Sequence, residues 1–543
     1  MIEWLYWFVG LGVLLGLGSV LALWSYGRFA RRAVGAPAHS LPVGEDAPLD
    51  RLLAPREAAH PGESGAMFVF DPIEAFALRR NLSALAGRSI DVQYYIWYDD
   101  MTGRLLARAL LDAADRGVRV RMLLDDVNVL GRDPLYLALD RHPLVQVRLF
   151  NPIRRRERSI RRGLELMFSL IRYNRRMHGK IWLVDGRLAL TGGRNVGDIY
   201  FGAASGRRRN NDDVDMLLAG PAVDDLAATF DAFWNAGMAL PISSLWHKRR
   251  TSLARLRLRL SHDRRQNGMR AYQERVTIAL RARGWRDATL PLALGGAPAA
   301  AAVRAAPCPL PSFDALRWSP TTTVIADPPQ KVLGNGQVDW LPEELAPLLE
   351  NARRRLRIMT PYLVPGAAGL AALSVLARRG VAVEIVTNAL AVNDHVLVHG
   401  AYRWYRKALL AAGVRLHEFA ARHGDGGGDG GGGAGTAREM LHGKAMIADG
   451  SLGFVGTYNF DLRSAFLNTE MGIFFDDPAL LAELEERFDH LIAPEHAFAL
   501  ALDGKRLIWR RGKDEALTIE PDSTFTRRLV SFAVGHLPIH RFL

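Results

Sequence analysis

Five residue types occur twice in the chain at the same spacing, and together they could carry out chemistry on a phosphate. In both copies the lysine follows the histidine by two residues, the aspartate by seven and the asparagine by 17. A lone His-x-Lys pattern has little meaning, whereas repetition of the whole set predicts one site built from two parts. The two copies are His178, Lys180, Asp185, Gly192 and Asn195, and His442, Lys444, Asp449, Gly456 and Asn459.

The histidine and lysine of each copy are expected to act together. In a strand, residues i and i+2 face the same side, so His178 and Lys180 share one surface, as do His442 and Lys444. If the copies pack about a pseudo-twofold axis, two imidazoles and two ammonium groups meet in a pocket suited to a phosphodiester. One imidazole would attack phosphorus and form a covalent phosphohistidine. The other would protonate the leaving alcohol and then deprotonate the incoming one.

Other side chains are expected to support this reaction. Each imidazole needs an acceptor at its second nitrogen, and we assign Glu470 and Asp213, each of which lies just before an apolar run. This chemistry needs no metal, so neither a metal nor another cofactor is predicted. Four side chains are expected to hold the non-bridging phosphate oxygens as charge develops: Lys180, Lys444, Asn195 and Asn459.

The aspartates and glycines of the motifs are expected to serve them differently. Asp185 and Asp449 complete the catalytic motif, but their position before glycine at a strand-end turn favours a structural role. Gly192 and Gly456 are expected to permit close backbone packing.

Strand and helix patterns alternate in both halves of the chain, which predicts an α/β sandwich in each. An apolar strand begins 88 residues before the first motif histidine, and another begins 86 residues before the second, which favours a duplicated domain. The predicted organisation is a transmembrane anchor (1–33), a tether (34–64), a first domain (65–245), a basic and Ala/Pro-rich connector (246–320), a second domain (321–500) and a C-terminal extension (501–543). A flexible linker is expected at 291–311, and a mobile glycine-rich loop at 424–435.

The charge balance and the first apolar run indicate a membrane protein. The chain of 543 residues has a formal net charge of +13, which suggests an anionic partner, either nucleic acid or an anionic membrane surface. Residues 4–24 carry no charge, and as a helix they span about 31 Å, enough for a bilayer core. A cleaved signal peptide is the alternative, but there is no basic segment before the run and no A-x-A site after it. Arg28, Arg31 and Arg32 follow it, which predicts a cytoplasmic body.

Two further segments are strongly basic. Nine arginines surround the apolar run 164–171, which is typical either of a segment lying on an anionic membrane or of a core helix with a charged rim. In 255–260 arginine alternates with leucine, which fits a similar surface segment or an amphipathic strand. Cys308 is the only cysteine, so an intrachain disulfide and a thiolate metal cluster are excluded.

The twin motifs resemble those of the phospholipase D superfamily, and the chain is similar to bacterial cardiolipin synthases, most of all the class C type. The resemblance rests on the motifs together with 91–97, 326–328 and 467–470. It implies two phospholipase D-like α/β/α sandwich domains about a pseudo-twofold axis, at a bacterial inner membrane. It also implies transfer of a phosphatidyl group from a donor phospholipid to phosphatidylglycerol, the donor in class C being phosphatidylethanolamine.

The resemblance also implies individual roles. His178 would be the nucleophile and His442 the acid and base. His399 and Tyr402 match a His-x-x-Tyr pattern of the family and would contact the acceptor glycerol, although their helical spacing equally fits packing. Leu462 departs from the proline expected there, and the chain has no acidic residue at position 199.

Three functions remain open at this point. The first is the phosphatidyltransferase acting on phospholipids. The second is a hydrolase with water as acceptor, either a phospholipase D or a nuclease. The third is a catalytically silent membrane-binding or nucleic-acid-binding scaffold. Two complete motifs argue against the scaffold, and the predicted anchor favours a lipid over nucleic acid as partner.

Overall fold

Two nine-stranded sheets, each flanked by helices, form the body of the protein. The computed structural model describes residues 2–204, 209–246, 251–262, 267–285, 310–334, 340–420 and 439–535. In chain order the strands are β1 (Ser64–Val69), β2 (Ser89–Tyr94), β3 (Arg119–Asp125), β4 (Val145–Phe150), β5 (Ile181–Val184), β6 (Leu188–Gly192), β7 (Asn210–Asp212), β8 (Asp215–Ala219), β9 (Ala239–Pro241), β10 (Arg317–Ser319), β11 (Thr323–Ala326), β12 (Arg355–Met359), β13 (Leu363–Val364), β14 (Ala382–Asn388), β15 (Arg415–Phe419), β16 (Glu439–Leu441), β17 (Ala445–Ala448), β18 (Leu452–Gly456), β19 (Phe460–Asp461), β20 (Met471–Phe475), β21 (Ala497–Asp503) and β22 (Arg506–Arg510).

The helices cover the sheets and include one long helix at the start of the chain. They are α1 (Ile2–Ala33), α2 (Pro48–Ala59), α3 (Pro72–Leu85), α4 (Met101–Asp115), α5 (Asp126–Val129), α6 (Asp133–Leu139), α7 (Ile160–Phe168), α8 (Leu170–Tyr173), α9 (Pro221–Trp234), α10 (Leu253–His262), α11 (Asn267–Ala282), α12 (Leu341–Glu350), α13 (Gly366–Arg378), α14 (Val396–Ala411), α15 (Leu462–Phe466), α16 (Pro478–Ile492) and α17 (Phe525–Gly535).

The two sheets repeat the same strand order, which confirms the predicted α/β fold and its duplication. The first runs β10-β1-β8-β6-β5-β2-β3-β4-β9 and the second β11-β20-β18-β17-β12-β14-β15-β21-β22. Eight strands correspond in order, from β1 to β9 and from β11 to β21. Strands β2, β3 and β4 are parallel in the first sheet, as are β12, β14 and β15 in the second. The other neighbouring strands of the two sheets pair antiparallel.

The sheets also define the ends of the two halves. We call the part from β1 to β10 the first half and the part from β11 to β22 the second half. Residues 317–319 pair with β1, so the end of the expected connector belongs to the first sheet. Residues 506–510 pair with β21, so the second sheet continues past residue 500, where the C-terminal extension was expected to begin.

One apolar core joins the halves. Buried side chains of both sheets form a single cluster, and within it Phe68 meets Phe475 edge-on, with 5.6 Å between ring centroids. Each fully buried side chain of this kind contributes about 1.5–3 kcal/mol through removal of apolar surface from water. The halves are therefore held in one relative position by packing as well as by the strand pairs that join them.

The segment expected to be a tether lies against the first half instead. It contains α2, whose Asp50 bonds Arg88 at 2.9 Å and Arg187 at 2.9 Å. In its extended part, the amide of Ala38 donates to Asn235 at 3.0 Å and the amide of Ser40 donates to an Asp231 carboxylate at 2.8 Å. These bonds satisfy backbone groups that a free linker would leave in water, so Pro- and Gly-rich composition was a poor guide here.

The start of the chain is a helix that packs onto the body at one end. Of the described residues, only the helical stretch Gly12–Ala33 is long and apolar enough to cross a membrane by length and composition. Near its end the Arg172 guanidinium lies 3.7 Å from the Tyr26 ring centroid. Arg154 donates to the Ser25 hydroxyl at 3.2 Å. The end of α1 is therefore held against the rest of the protein by side-chain contacts as well as by the connecting chain.

The structure decides between the alternatives for the two basic segments. None of the residues of α7 is buried, so the core-helix alternative for 154–176 is wrong. Residues 255–260 lie in α10, so the strand alternative is wrong as well. Leu256 and Leu260 are buried and Leu258 is exposed, because over so few residues an alternating pattern also places residues i and i+4 on one helix face. The expected linker at 291–311, apart from its last two residues, and the glycine-rich loop at 424–435 lie outside the described residues.

Candidate active site

The two histidines and two lysines lie where the halves interlock. β7 of the first half pairs in parallel with β16 of the second half, and Met177 forms a bridge with Thr469. The amide of His178 donates to the Thr469 carbonyl at 2.9 Å, and the amide of His442 donates to the Asp212 carbonyl at 2.7 Å. Each motif is thus held by backbone of the other half. This exchange is the reciprocal arrangement expected of a pseudo-twofold pair.

Side chains at strand ends fix the segments that precede the histidines. Asp125, the last residue of β3, accepts the amide of Met177 at 3.0 Å. Asn388, the last residue of β14, bonds both the amide and the carbonyl of Leu441, at 3.0 and 2.8 Å. The spacing of the motifs did not point to Asp125 and Asn388. Their positions could have done so, since both residues are polar and end matching strands of the repeat.

Each lysine folds back on its histidine. Lys180 Nζ lies 2.5 Å from the His178 carbonyl oxygen, and Lys444 makes the same contact with His442. Lys444 Nζ also lies 3.1 Å from His442 Nδ1. All four side chains are more than nine-tenths buried, so water competes little with their electrostatic effects.

Each imidazole is oriented by a carboxylate from the opposite half. His178 Nδ1 lies 2.7 Å from Glu470 Oε2, and His442 Nδ1 lies 2.5 Å from Asp213 Oδ2. Both carboxylates are completely buried. An Nδ1–H that donates to a carboxylate leaves the lone pair of Nε2 free for reaction. Each of the two carboxylates predicted to orient an imidazole therefore contacts one, and in both cases the histidine belongs to the motif of the other half.

Further buried groups hold Glu470 in place. The Thr457 hydroxyl donates to Glu470 Oε2 at 2.5 Å. The Glu470 amide donates to Asp327 at 2.8 Å, and Lys331 Nζ donates to the same carboxylate oxygen at 2.7 Å. Sequence reasoning gave no role to Thr457, Asp327 or Lys331, although Thr457 stands within the motif and Asp327 within the stretch 326–328 that carried the resemblance.

The neighbours of Asp213 have other partners. Asp212 pairs with Arg487, and Asp215 pairs with Arg79 at 2.8 Å. Only Asp213 is directed at an imidazole. A Cβ on Gly193 would lie 2.2 Å from Asp213 Oδ1, so the absence of a side chain at position 193 gives this carboxylate its space.

Burial and mutual repulsion set the charge of the site. Burial, with Lys180 and Lys444 nearby, holds the pKa of His178 well below its usual range. Burial and repulsion from Lys444 lower the pKa of Lys180 to about 7. Burial and Lys444 also lower the pKa of His442, but Asp213 opposes this effect. An anionic phosphodiester would relieve the repulsion between the ammonium groups, so the site is suited to bind one.

Two tyrosines stand beside the imidazoles. Tyr95 meets His178 edge-on at 5.0 Å, and Tyr200 meets His442 edge-on at 5.4 Å. Nδ2 of the Asn195 side chain donates to the Tyr200 hydroxyl at 3.2 Å, and Oδ1 of the same side chain accepts a hydrogen bond from the backbone amide of Ile96 at 3.1 Å. Asn459 is buried, and its side-chain oxygen Oδ1 has no hydrogen-bond partner. Phosphate binding by the two asparagines remains a prediction, and the present bonds of Asn195 give it a structural role as well.

The motif aspartates act on backbone away from the imidazoles. Asp185 accepts the amides of residues 87, 88 and 89 at 2.8, 2.7 and 2.9 Å. Asp449 accepts the amides of residues 353, 354 and 355 at 2.8, 2.7 and 2.8 Å. Asp185 holds the chain where it enters β2, and Asp449 holds it where it enters β12. Each aspartate follows the last residue of β5 or β17, whereas the motif lysine precedes the first residue of that strand. This geometry gives both a structural role and no contact with the reacting groups.

The motif glycines permit the close backbone packing expected of them. A Cβ on Gly192 would lie 2.3 Å from the Val214 carbonyl oxygen, and one on Gly456 would lie 2.3 Å from the Met471 carbonyl oxygen. Val214 and Met471 directly follow the two orienting carboxylates. Both glycines thus set the distance between each motif and its carboxylate strand.

His399 and Tyr402 lie one turn apart on α14, and both are buried. Both are enclosed between α14 and the rest of the second half, and His399 Nδ1 contacts Ser531 of α17 at 3.3 Å. His399, Glu418 and Glu520 form a group whose ligand atoms lie within 4.8 Å of one another, but Arg406 pairs with both carboxylates. The helical spacing of the two residues is accounted for by packing, and the acceptor contact expected of them stays a prediction.

The sequence of the chain is similar to those of known proteins. A family model described as cardiolipin synthase, phospholipase D-like domain, matches residues 80–234 and 345–492. Cardiolipin synthase C of Escherichia coli K12 is 36% identical over 504 residues, 91% of this chain and 99% of that protein. Cardiolipin synthase A of Yersinia pseudotuberculosis is 26% identical and covers 80% of this chain.

Among solved structures, the phosphatidylserine synthase of Haemophilus influenzae aligns with 89% of the chain and with 96% of its own length. The TM-score is 0.53 at 14% identity, so this likeness shows the fold alone. Fold and site together define a two-domain phospholipase D-type protein. The chain belongs to the family of cardiolipin synthases with phospholipase D-like domains.

Proposed function

We propose that this protein is a phosphatidyltransferase that makes cardiolipin at a membrane. The observation that carries the proposal is the reciprocal site, in which the charges of two buried His-Lys pairs act on each other and each imidazole is oriented across the interface. The family membership and the relative that is 36% identical support the same activity. A catalytically silent scaffold would not need two complete, buried and charge-coupled motifs.

The first half-reaction breaks the donor lipid. Nε2 of His178 attacks phosphorus, a P–N bond forms, and the P–O bond to the head-group alcohol breaks. Nε2–H of His442 protonates the departing oxygen, so the alcohol leaves neutral and a phosphatidyl-histidine remains. Lys180 and Lys444 balance the charge on the non-bridging oxygens.

The second half-reaction reverses the roles. Neutral His442 takes the proton of a phosphatidylglycerol hydroxyl, whose oxygen attacks phosphorus as the P–N bond breaks. Cardiolipin is released and His178 is regenerated. The donor in this proposal is phosphatidylethanolamine or phosphatidylglycerol.

Electrostatics favour His178 as nucleophile. Burial and the two lysines hold the pKa of His178 well below its usual range, which keeps the imidazole neutral with a free lone pair. Asp213 raises the pKa of His442 against the effect of burial. His442 is therefore the better proton carrier of the two, in agreement with the family resemblance.

The surroundings of the site favour a lipid substrate. α7 and α8 expose apolar side chains close to α1, among them Leu164, Met167 and Ile171. In this proposal they rest in the interface of an anionic membrane, with the exposed Arg155, Arg158 and Arg161 among the head groups. By the positive-inside rule, Arg28, Arg31 and Arg32 favour a body on the cytoplasmic face of the bacterial inner membrane. Nucleic acid is not an expected partner.

The test uses the full chain in mixed micelles of phosphatidylglycerol and phosphatidylethanolamine with EDTA present. Wild type should form cardiolipin, as read by lipid mass spectrometry, and omission of each lipid in turn identifies the donor. His178→Ala and His442→Ala should lose at least about a thousandfold in turnover. His39→Ala, at a side chain that is 76% exposed, is the matched control. Phosphatidic acid without cardiolipin would mean a hydrolase and would overturn the proposal.

A further inference from the structure

A cavity of about 590 Å³ lies between the base of α1 and the catalytic body. Its walls come from α1, α8, the loop after α9 and the turn Pro329–Leu333. The lining is mainly apolar, with Tyr26, Ala30, Met238 and Val332 among its residues. This volume falls within the range of about 300–1,000 Å³ that is typical of small-molecule sites.

The position of the cavity relates it to the bilayer. The apolar run of α1 ends at Trp24, and Ala30 lies about 9 Å further along the helix. That distance corresponds to the head-group layer outside the hydrocarbon core. Exposed Leu23, Val34 and Ile171 line its mouth. A hydrophobic molecule that moves along α1 out of the bilayer therefore meets these apolar side chains at the entrance of the cavity.

Unpaired cationic donors stand at the same place. Arg172 lines the cavity and is buried, yet its Nε and Nη2 have no hydrogen-bond partner. Nε of Arg175, which also lines the cavity, lacks a partner too. Buried guanidinium donors without acceptors are costly, and a phosphate oxygen is the acceptor that suits them.

The cavity also leads towards the reacting imidazole. Arg175 precedes His178 by three residues, or about 10 Å of extended chain. The neighbouring Asn174 accepts a hydrogen bond at 2.7 Å from Arg463, a residue whose charge acts on His178. Basic groups therefore continue from the cavity towards the catalytic site.

We propose that this cavity holds an acyl chain of the phospholipid that reacts at His178, with the lipid phosphate first taken by Arg172 and Arg175. The occupant follows from the combination of a wall made by a membrane helix, an apolar lining and unpaired cationic donors at one end. The inference rests on the proposed function for its substrate, and it adds where that substrate leaves the bilayer.

A cavity-filling variant tests the proposal with little risk to folding. A Cβ on Gly237, which lines the cavity, meets no atom within 4 Å, so Gly237→Phe should fill the space without a backbone clash. Gly268 in α11 is equally open and lies outside the cavity, which makes Gly268→Phe the matched control. Thermal unfolding of both variants verifies that they fold.

The first measurement is chain-length selectivity. For Gly237→Phe, the ratio of kcat/KM for dioleoyl lipids to that for dihexanoyl lipids should fall at least tenfold, because only the long chain needs the cavity. Gly268→Phe should keep the wild-type ratio. An unchanged ratio in Gly237→Phe, with active wild type, would overturn the acyl site and leave the proposed function intact.

The second measurement does not depend on turnover. Phosphatidylethanolamine and phosphatidylglycerol, each with a diazirine on one acyl chain, are reconstituted separately in vesicles with the full chain, and the donor of the two should label the peptides around 236–238 and 329–333. An excess of the dioleoyl form of that lipid should compete, whereas diolein, which lacks the phosphate, should not. Gly237→Phe should reduce labelling at least fivefold. Labelling that is equal in Gly237→Phe and wild type, or that is absent from these peptides, would contradict the cavity proposal even if no cardiolipin forms.

Discussion

Nδ1 of His178 lies 2.7 Å from Oε2 of Glu470, a carboxylate that comes 292 residues later in the chain. The reciprocal pair joins His442 to Asp213 at 2.5 Å across a separation of 229 residues. Because each imidazole is oriented by the opposite half, neither half contains a complete catalytic unit. Duplication of the fold is thereby tied to function, and the interface between the halves is itself the site.

The carboxylates should matter to turnover almost as much as the imidazoles. Glu470→Gln and Asp213→Asn keep the size of the side chain but remove the charge that fixes the tautomer of the histidine. We expect kcat to fall by about 10²–10⁴ with a small change in KM. Steady-state cardiolipin synthesis measures this, with Asp489→Asn, at a carboxylate whose side chain is 59% exposed, as control. Retention of more than a tenth of wild-type kcat would show that the carboxylates do not orient the imidazoles.

The motif aspartates should show the opposite pattern. Asp449→Ala removes an acceptor of three backbone amides, so it should cost about 2–4 kcal/mol of stability. Below its unfolding temperature the variant should keep kcat within about threefold of wild type, since the carboxylate touches no reacting group. Differential scanning calorimetry and the lipid assay measure the two effects. A large loss of kcat without loss of thermal stability would contradict the structural role.

The two motif glycines, Gly192 and Gly456, should tolerate no side chain, because each packs against the backbone just after an orienting carboxylate. Gly456→Ala would place Cβ 2.3 Å from the Met471 carbonyl oxygen, which is rigid backbone. We expect a loss of about 2–4 kcal/mol and reduced kcat, because relief of the clash moves the strand next to Glu470. Gly268→Ala, in an open helical position, should be neutral or slightly stabilising. Unchanged melting and turnover in Gly456→Ala would argue against this tight approach.

Anion binding at the site should weaken as pH rises. The pKa of Lys180 is lowered to about 7 by burial and by Lys444, so its ammonium group loses its proton between pH 6 and pH 9. The protonated form is the one that attracts an anion, so affinity for sulfate, which does not titrate in this range, should fall at least about tenfold. Calorimetry at constant ionic strength measures it, and Lys180→Met should remove most of the pH dependence. Equal affinity at both pH values would contradict the lowered pKa.

Much of the fold was predictable because the sequence repeats itself. Equal spacing from His178 to Asn195 and from His442 to Asn459 indicated duplication, and the matching strand orders follow from it. The identity of the orienting carboxylates was also accessible, because each precedes an apolar strand. Their pairing across the halves was not, since spacing along the chain does not tell which half supplies a group.

Other features depended on tertiary contacts that composition does not report. Residues 34–64 read as a linker, yet Asp231 and Asn235 accept their backbone amides and hold them on the body. His399 matched a family pattern, but α17, far along the chain, covers it. Thr457 and Lys331 gain their roles only through a carboxylate network that forms on folding.

The central claim is that phosphatidyl transfer passes through a covalent bond to one imidazole of this composite site. The most direct measurement incubates His442→Ala, His178→Ala and wild type with donor lipid labelled at phosphorus, followed by peptide mapping of acid-labile, base-stable label. His442→Ala should accumulate label on His178 over a long incubation, because attack is slowed by loss of its acid while release to phosphatidylglycerol is slowed by loss of its base. His178→Ala should carry no label. Label on His442 would reverse the roles of the two histidines, and absence of label from every sample while wild type makes cardiolipin would contradict the covalent mechanism.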